Sequence, residues 1–360
     1  MEEGDFRGAI RLVCSEDSIA ELDEVTLAAL QSKHPPPHPN SCISPVPEEF
    51  APTIQVSEEE IAHAISSFPN GSSGEPDGLR PQHLKNLIST SAERGGRELL
   101  RALTSFVNLV LDGKTPPSAR PFFFGATLIP LGKKGGGIRP IAVGHTLRRL
   151  VAKCASSVIL PSLGNLLAPL QLGCGTPMGC EAMVHAARQF VHNLIPGQML
   201  LKLDFKNTFN CLRRDKMLMT VRESIPELFR FVHSAYAQTS SLFCTDQVVE
   251  FSKGVQQGDP LGPMLFCLTI HPMVEKLRSE LKVFYLDDGT LGGNLEDIIR
   301  DLQLVEKEAA ELGLQLNRSK SELLCEGPTT RDQLLKVVPG LQVIGMDQVE
   351  ILGSPVGSMT

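Results

Sequence analysis

Two adjacent aspartates, Asp287 and Asp288, stand in the stretch KVFYLDDGTLGG, residues 282–293. Largely apolar residues lead into them and a glycine follows, the pattern of a β-hairpin with carboxylates at its tip. Asp-Gly is a favoured hairpin connection, so a solvated turn is one reading. The other is a divalent-cation site, because like charges this close become tolerable when a cation of higher charge lies between them. About one such pair is expected by chance in a chain of this length, so the rest of the sequence has to decide. A second acidic position, Asp204, ends the apolar run QMLLKLDF. If its strand neighbours the hairpin in one sheet, the strand-end carboxylate meets those at the tip. Two-metal phosphoryl transfer needs that arrangement: two ions ~3.5–4 Å apart clamp the attacking and leaving oxygens, held by acidic side chains from separate elements. Mg²⁺ in such sites takes a few carboxylates plus substrate phosphates and water.

The elements that must position these residues are set by an ordinary globular composition. Of 360 residues, 42% are hydrophobic and 21% charged. That is enough chain for two or three subdomains with real cores. Aromatics are 5%, with no Trp and two Tyr, which argues against a large base-stacking platform. No apolar run approaches the ~20 residues of a membrane span, so no membrane partner is expected. The acidic start MEEGDFRGAI lacks the features of a signal peptide. Nine dispersed cysteines without a C-x-x-C pair suit reduced thiols and an intracellular protein, in nucleus or cytoplasm.

The net charge of −7 conceals a strong division. Residues 1–77 hold 3 Lys/Arg against 15 Asp/Glu, residues 78–160 hold 13 against 3, and residues 161–360 hold 18 against 23. The basic middle segment suits a polyanionic partner or a solvated basic face.

SEDSIAELDEVTLAALQS, residues 15–32, reads as an amphipathic helix, and KHPPPHPNS as an extended, poorly packed linker that protease should cut early. SEEEIAHAISSF reads as a helix with Ser57 as N-cap, Glu60 completing a capping box, and Ile61, Ile65 and Phe68 on its buried face. FFFGATLIPL and IRPIAV are expected strands joined by the glycine-rich turn GKKGGG. Asn294 should cap the helix after the aspartate hairpin. Irregular alternation of strands and helices indicates α+β rather than a doubly wound parallel sheet.

In this order the motifs resemble those of reverse transcriptases, particularly of non-LTR retrotransposons and group II introns, over roughly residues 55–357. SGEPDGLRPQHLKNLI and GKKGGGIRPIAVGHTLRRLVAK resemble fingers motifs, and QLGCGTPMGCEAM is similar to the segment before the palm. LDFKNTFN, GVQQGDPLGPMLF and YLDD resemble the first three palm motifs, while GLQLNRSKSEL and ILGSPVG are similar to the fourth and to the primer grip. The resemblance implies an RNA-directed DNA polymerase that takes an RNA template, a DNA primer and dNTPs. It implies Asp204, Asp287, Asp288 and the Phe205 carbonyl as ligands of two Mg²⁺ ions, with Mn²⁺ an alternative. Phe209 would be the steric gate against ribonucleotides. Arg139, with Lys133 or Lys134, would meet the triphosphate, and Lys320 the departing pyrophosphate. Gln257 and Gly258 would lie against nucleotide and template, and Tyr285 beside the primer terminus.

The expected architecture is a right-hand polymerase: an acidic segment over residues 1–47, fingers over 48–196, and a palm over 197–360. The palm should be a small antiparallel sheet backed by helices, with the thumb absent or truncated. Thr208 and Cys211 stand where the family more often has smaller residues or serine. The chain reads as one part of a longer retroelement protein or a fragment of one. Rival readings are an inactive remnant that binds nucleic acid, an RNA-dependent RNA polymerase and, more distantly, a metal-dependent nuclease.

Overall fold

The run QMLLKL, residues 198–203, buries Met199, Leu200, Leu201 and Leu203, and such a strand needs partners on both edges. A computed structural model, which describes residues 18–74, 76–89, 93–133, 136–325 and 328–357, supplies them. Its strands are β1 (Ala126–Gly132), β2 (Ile138–Gly144), β3 (Gln198–Leu203), β4 (Ser240–Cys244), β5 (Gln247–Phe251), β6 (Leu281–Tyr285), β7 (Asp288–Asn294), β8 (Glu322–Cys325), β9 (Gln342–Val343), β10 (Glu350–Ile351) and β11 (Ser354–Pro355). Small sheets and many helices make a mixed α and β fold. The chain divides into two units, Met1–Val158 with Arg213–Gly262, and Ile159–Leu212 with Pro263–Thr360.

The first unit holds a four-stranded sheet in the order β2-β1-β4-β5. β1 and β2 pair antiparallel from Ala126 opposite Gly144 to Gly132 opposite Ile138, and β4 joins β1 in parallel. Helix Glu58–Ser66 has the expected capping box: Ser57 Oγ accepts from the Glu60 amide and Glu60 accepts from the Ser57 amide at 2.7 Å. Ile61, Ile65 and Phe68 are buried as its periodicity predicts.

Three local expectations are corrected in this unit. The helix read over residues 15–32 begins only at Glu24, because Asp23 accepts the Thr26 amide at 2.7 Å and caps it there. Residues 18–23 are not helical, and 15–17 lie outside the described residues. The first part of FFFGATLIPL forms a helical turn, Arg120–Phe123, started by Pro121, and the strand begins at Ala126. The proline-rich linker, though Pro36, Pro37 and Pro39 are exposed, is anchored at His34 and Asn40, and the chain just after it at Ser44 and Glu48. Arg213 donates to Asn40 O (3.4 Å), Arg230 to Glu48 O (3.2 Å), and His233 Nε2 lies 3.0 Å from Ser44 O, while His34 meets the Phe251 ring edge-on. A segment whose prolines limit regular pairing is thus tied by its carbonyls. Helix Thr146–Leu167 also exceeds the sequence expectation. Its 22 residues make it long and apolar enough to cross a membrane by length and composition alone, and more than half of its most apolar stretch is buried within the fold.

The second unit holds a five-stranded sheet in the order β6-β7-β3-β8-β9. β3 lies antiparallel to both β7 and β8, and β9 joins β8 in parallel at the edge. Lys202 pairs with Thr290 and Glu322, and Leu200 with Leu324, so these side chains share one face. Helix Gly179–His192 covers the apolar end of that face, packing Met183, Val184, Ala187 and Phe190 with Leu200, Val283 and Leu324. A Cβ on Gly292 would meet the Phe190 ring at 2.7 Å, so the helix approaches only because that position has none. Lys202, Thr290 and Glu322 lie toward the other end. Helix Leu295–Glu311 packs on β3 and β7, and Asn294 Oδ1 caps it by accepting from Asp297 N at 2.9 Å.

Candidate active site

Asp204 directly follows β3, and Asp288 opens β7. Leu203 faces Gly289 across the ladder, so Asp204 and Asp288 occupy the next positions outward on neighbouring strands. The strand end and the hairpin therefore meet as the apolar pattern requires. The aspartates are not both at the tip, however. Tyr285 pairs with Asp288, which leaves Leu286 and Asp287 as the two-residue turn and puts Asp288 on the strand.

The Asp204 and Asp287 carboxylates are each held by a neighbour from another segment. Asp204 Oδ2 accepts from Asn317 Nδ2 at 2.8 Å, its carbonyl from the Asn317 amide at 2.7 Å, and its own amide donates to Ser321 Oγ at 3.1 Å. Phe205 bridges to Leu316, which keeps the loop around Asn317 alongside. Thr208 is buried and donates to Asp287 Oδ2 at 2.7 Å. Asn207, in left-handed backbone, starts the single helical turn Thr208–Cys211 that aims this hydroxyl. Crowding by surrounding atoms, then Asp287 and to a lesser degree Asp204, push the Asp288 carboxyl up to about 6, against the opposing charge of Lys202. Lys202 itself pairs with Glu322 at 3.1 Å.

These oxygen donors suit a hard cation such as Mg²⁺ or Mn²⁺. The elevated Asp288 pKa comes first from desolvation and next from its carboxylate neighbours, and a divalent cation among them would offset that repulsion. Among the described residues, no three His, Cys, Asp or Glu side chains form a preassembled cage. The hydrogen bonds from Thr208 and Asn317 account for the orientation of one oxygen each. By its chemistry the donor set fits a divalent ion.

The remaining expected residues divide between the units. In the second, Phe209 is half-buried and stacks on the buried Phe266 ring, with centroids 4.9 Å apart and planes 17° apart. Tyr285 packs against the cluster under helix Gly179–His192. Lys320 is exposed in the short 3₁₀ turn Arg318–Lys320. In the first unit, Arg139 and Lys133 are exposed on the β1–β2 hairpin, and Lys134 lies outside the described residues.

The Gln257–Gly258 turn docks on strand β2, the strand that carries Arg139. Gln257 O accepts from Ala142 N at 2.7 Å, and Gly258 has φ +124°, where an added Cβ would stand 2.3 Å from Ala142 O. Gln257 Oε1 is buried and has no hydrogen-bond partner among the described residues. The next residue, Asp259, accepts from Arg148 Nη2 and Tyr236 OH, both at 2.6 Å, so a buried ion pair anchors the turn. Asn317, Ser321, Arg148 and Tyr236 were not singled out from sequence. The first three lie inside motifs quoted above, which was the available signal.

Acidic oxygens from a strand end and an adjoining tight turn, on a small sheet backed by helices, suit metal-assisted phosphoryl transfer, chemistry that nucleotidyltransferases of mixed α and β architecture share. Residues 131–356 match the family model for reverse transcriptase (RNA-dependent DNA polymerase), and the chain belongs to that family. It is 24% identical over 291 residues to the retrotransposable element SLACS 132 kDa protein of Trypanosoma brucei gambiense, covering 77% of this chain and 24% of that protein. It is 25% identical over 304 residues to the transposon TX1 uncharacterized 149 kDa protein of Xenopus laevis, covering 77% of this chain and 22% of that one. The chain thus spans about a quarter of the length of these curated relatives.

Proposed function

We propose that the chain is the RNA-directed DNA polymerase domain of a non-LTR-type retroelement protein, extending a DNA primer with dNTPs on an RNA template. The observation that carries this reading is the meeting of Asp204 and Asp288 on adjacent strands with Asp287 in the turn between β6 and β7. In the family's terms, residues 48–196 correspond to fingers and 197–360 to palm. The larger size of the SLACS and TX1 proteins favours further domains as partners.

Asp204, Asp287, Asp288 and the Phe205 carbonyl would hold two Mg²⁺ ions, or Mn²⁺. Such ions, when bound, acidify a hydroxyl nucleophile and neutralise a phosphate leaving group. The protein's own groups prepare the rest. Thr208 and Asn317 orient the carboxylates, so that little reorganisation is needed during reaction. The Phe209 ring, backed by Phe266, cannot yield easily to a 2′-hydroxyl and selects deoxynucleotides by shape. Tyr285 would lie beside the primer end. Gln257 and Gly258, in the turn docked on β2, would lie against nucleotide and template. Arg139, with Lys133 or Lys134, would supply cationic donors to the triphosphate, for which the guanidinium fork is well matched. Lys320 would steady or protonate the departing pyrophosphate.

Primer extension on an RNA template, with dNTPs and rNTPs in parallel at low salt, tests this reading. The expected product forms with dNTPs only. Extension with rNTPs instead identifies an RNA polymerase, and retention of the duplex without any extension identifies a nucleic-acid-binding remnant.

A further inference from the structure

The turn that carries Asp287 begins with a residue poorly suited to it. Leu286 has φ +55°, in the left-handed region that L-residues with a bulky side chain seldom occupy. Two-residue hairpin turns that require this conformation favour Gly, Asn or Asp at such positions. The turn therefore depends on support from elsewhere.

That support comes from Gln171, whose side chain is 0% exposed. Its Nε2 donates to Leu286 O at 3.0 Å, and its Oε1 accepts from Leu286 N at 2.9 Å and from Gly173 N at 3.0 Å. The amide satisfies both backbone groups of Leu286 as a paired strand residue would. Exchange of its nitrogen and oxygen would set donor against donor, so the orientation is determined. The surrounding backbone reinforces the clasp: Leu172 N donates to Phe284 O at 2.7 Å and Phe284 N to Leu170 O at 2.8 Å. Gly173 completes it, since a Cβ there would lie 2.4 Å from Leu286 N.

We propose that Gln171 is a positioning residue for nucleotidyl transfer: its side-chain amide holds Leu286 left-handed and so fixes where Asp287 stands. The proposal rests on the polymerase reading for its effect on rate, but not for its effect on the turn. Gln171 acts through Leu286, not on the substrate. Its loss should lower kcat with little change in the KM for dNTP, because a misplaced catalytic group costs rate even where substrate still binds.

The test compares Gln171→Met, which keeps length and removes both hydrogen-bonding functions, in wild-type and Leu286→Asn backgrounds. Asparagine tolerates the left-handed region, so it should need the clasp less. In the wild-type background, Gln171→Met should lower kcat by roughly 10²-fold. In the Leu286→Asn background the same change should cost far less, about threefold or under, by the same reasoning. Equal losses in both backgrounds, or a loss confined to KM, would overturn the proposal.

Hydrogen exchange gives a readout that does not need activity. In Gln171→Met, amides 286–288 should exchange much faster while β3 stays protected. An unchanged turn would refute the clasp, whatever the enzyme does. Conversely, wild-type protein that shows the protected turn yet extends no primer would remove the polymerase reading and leave the clasp standing. A Gln171→Met protein too unstable to assay is replaced by Gln171→Glu, which retains the acceptor and loses the donor. Faster turn exchange is expected there too, and unchanged exchange would contradict the proposal.

Discussion

Thr208 donates its hydroxyl to Asp287 across 2.7 Å, joining the helical turn after β3 to the turn between β6 and β7. A hydrogen bond to a charged group contributes about 1.5–3 kcal/mol. If it sets the carboxylate's orientation for reaction, its loss corresponds to roughly 10–100-fold in rate. Thr208→Val should therefore lower kcat by about that factor, while Thr208→Ser stays near wild type. Equal activity in the two folded variants would remove the role.

The Asp288 carboxyl, raised to about 6 from an ordinary value of 3.8, makes a stability prediction for metal-free protein. Between those values the folded state holds a proton that the unfolded state has lost, so stability falls as pH rises through this window. Above about 6 the ionised carboxylate is a net liability. Asp288→Asn should raise the Tm in chelator at pH 7.5, with the advantage shrinking toward pH 4. Mg²⁺ should raise the wild-type Tm more than the variant's. Thermal scans across that pH range check both.

Arg148 and Asp259 form a buried pair at 2.6 Å, with Tyr236 on the same carboxylate oxygen. Removing one partner strands the other charge, at a cost of about 3–5 kcal/mol. Asp259→Ala should show that loss in urea unfolding. The double change Arg148→Met with Asp259→Leu should recover a large part of it, because no isolated charge from the pair remains.

The segment around residues 34–48 carries the composition of a linker but is held through Asn40, Ser44 and Glu48 carbonyls. It should resist limited proteolysis in the folded protein. Arg230→Ala with His233→Ala should open it to cleavage, which mass spectrometry of the first fragments would reveal.

The sequence was most legible where the determining contacts are local or periodic. Ser57 and Glu60 announce their capping box within four residues, and Asn294 its helix within four. The meeting of Asp204 with the Asp287–Asp288 hairpin could be anticipated because apolar strands lead into both. Partners distant in sequence were hidden. Nothing near Gln171 says that it will clasp Leu286, 115 residues away, and nothing near Arg148 says that it will meet Asp259, 111 residues away. The division of the turn was misplaced for a related reason. Asp-Gly is a favoured turn sequence, but the register against β3 drew Asp288 and Gly289 into the strand and left Leu286 to take the strained position.

Single-turnover primer extension on RNA, comparing wild type with Asp287→Ala/Asp288→Ala and with Asp204→Asn, tests the central claim most directly. Each protein is first verified as folded by circular dichroism and shown to retain the template–primer duplex. The three-carboxylate account predicts extension by wild type in Mg²⁺ or Mn²⁺, and none above background by either variant. Extension that survives both changes would contradict the assignment of these aspartates to the chemistry.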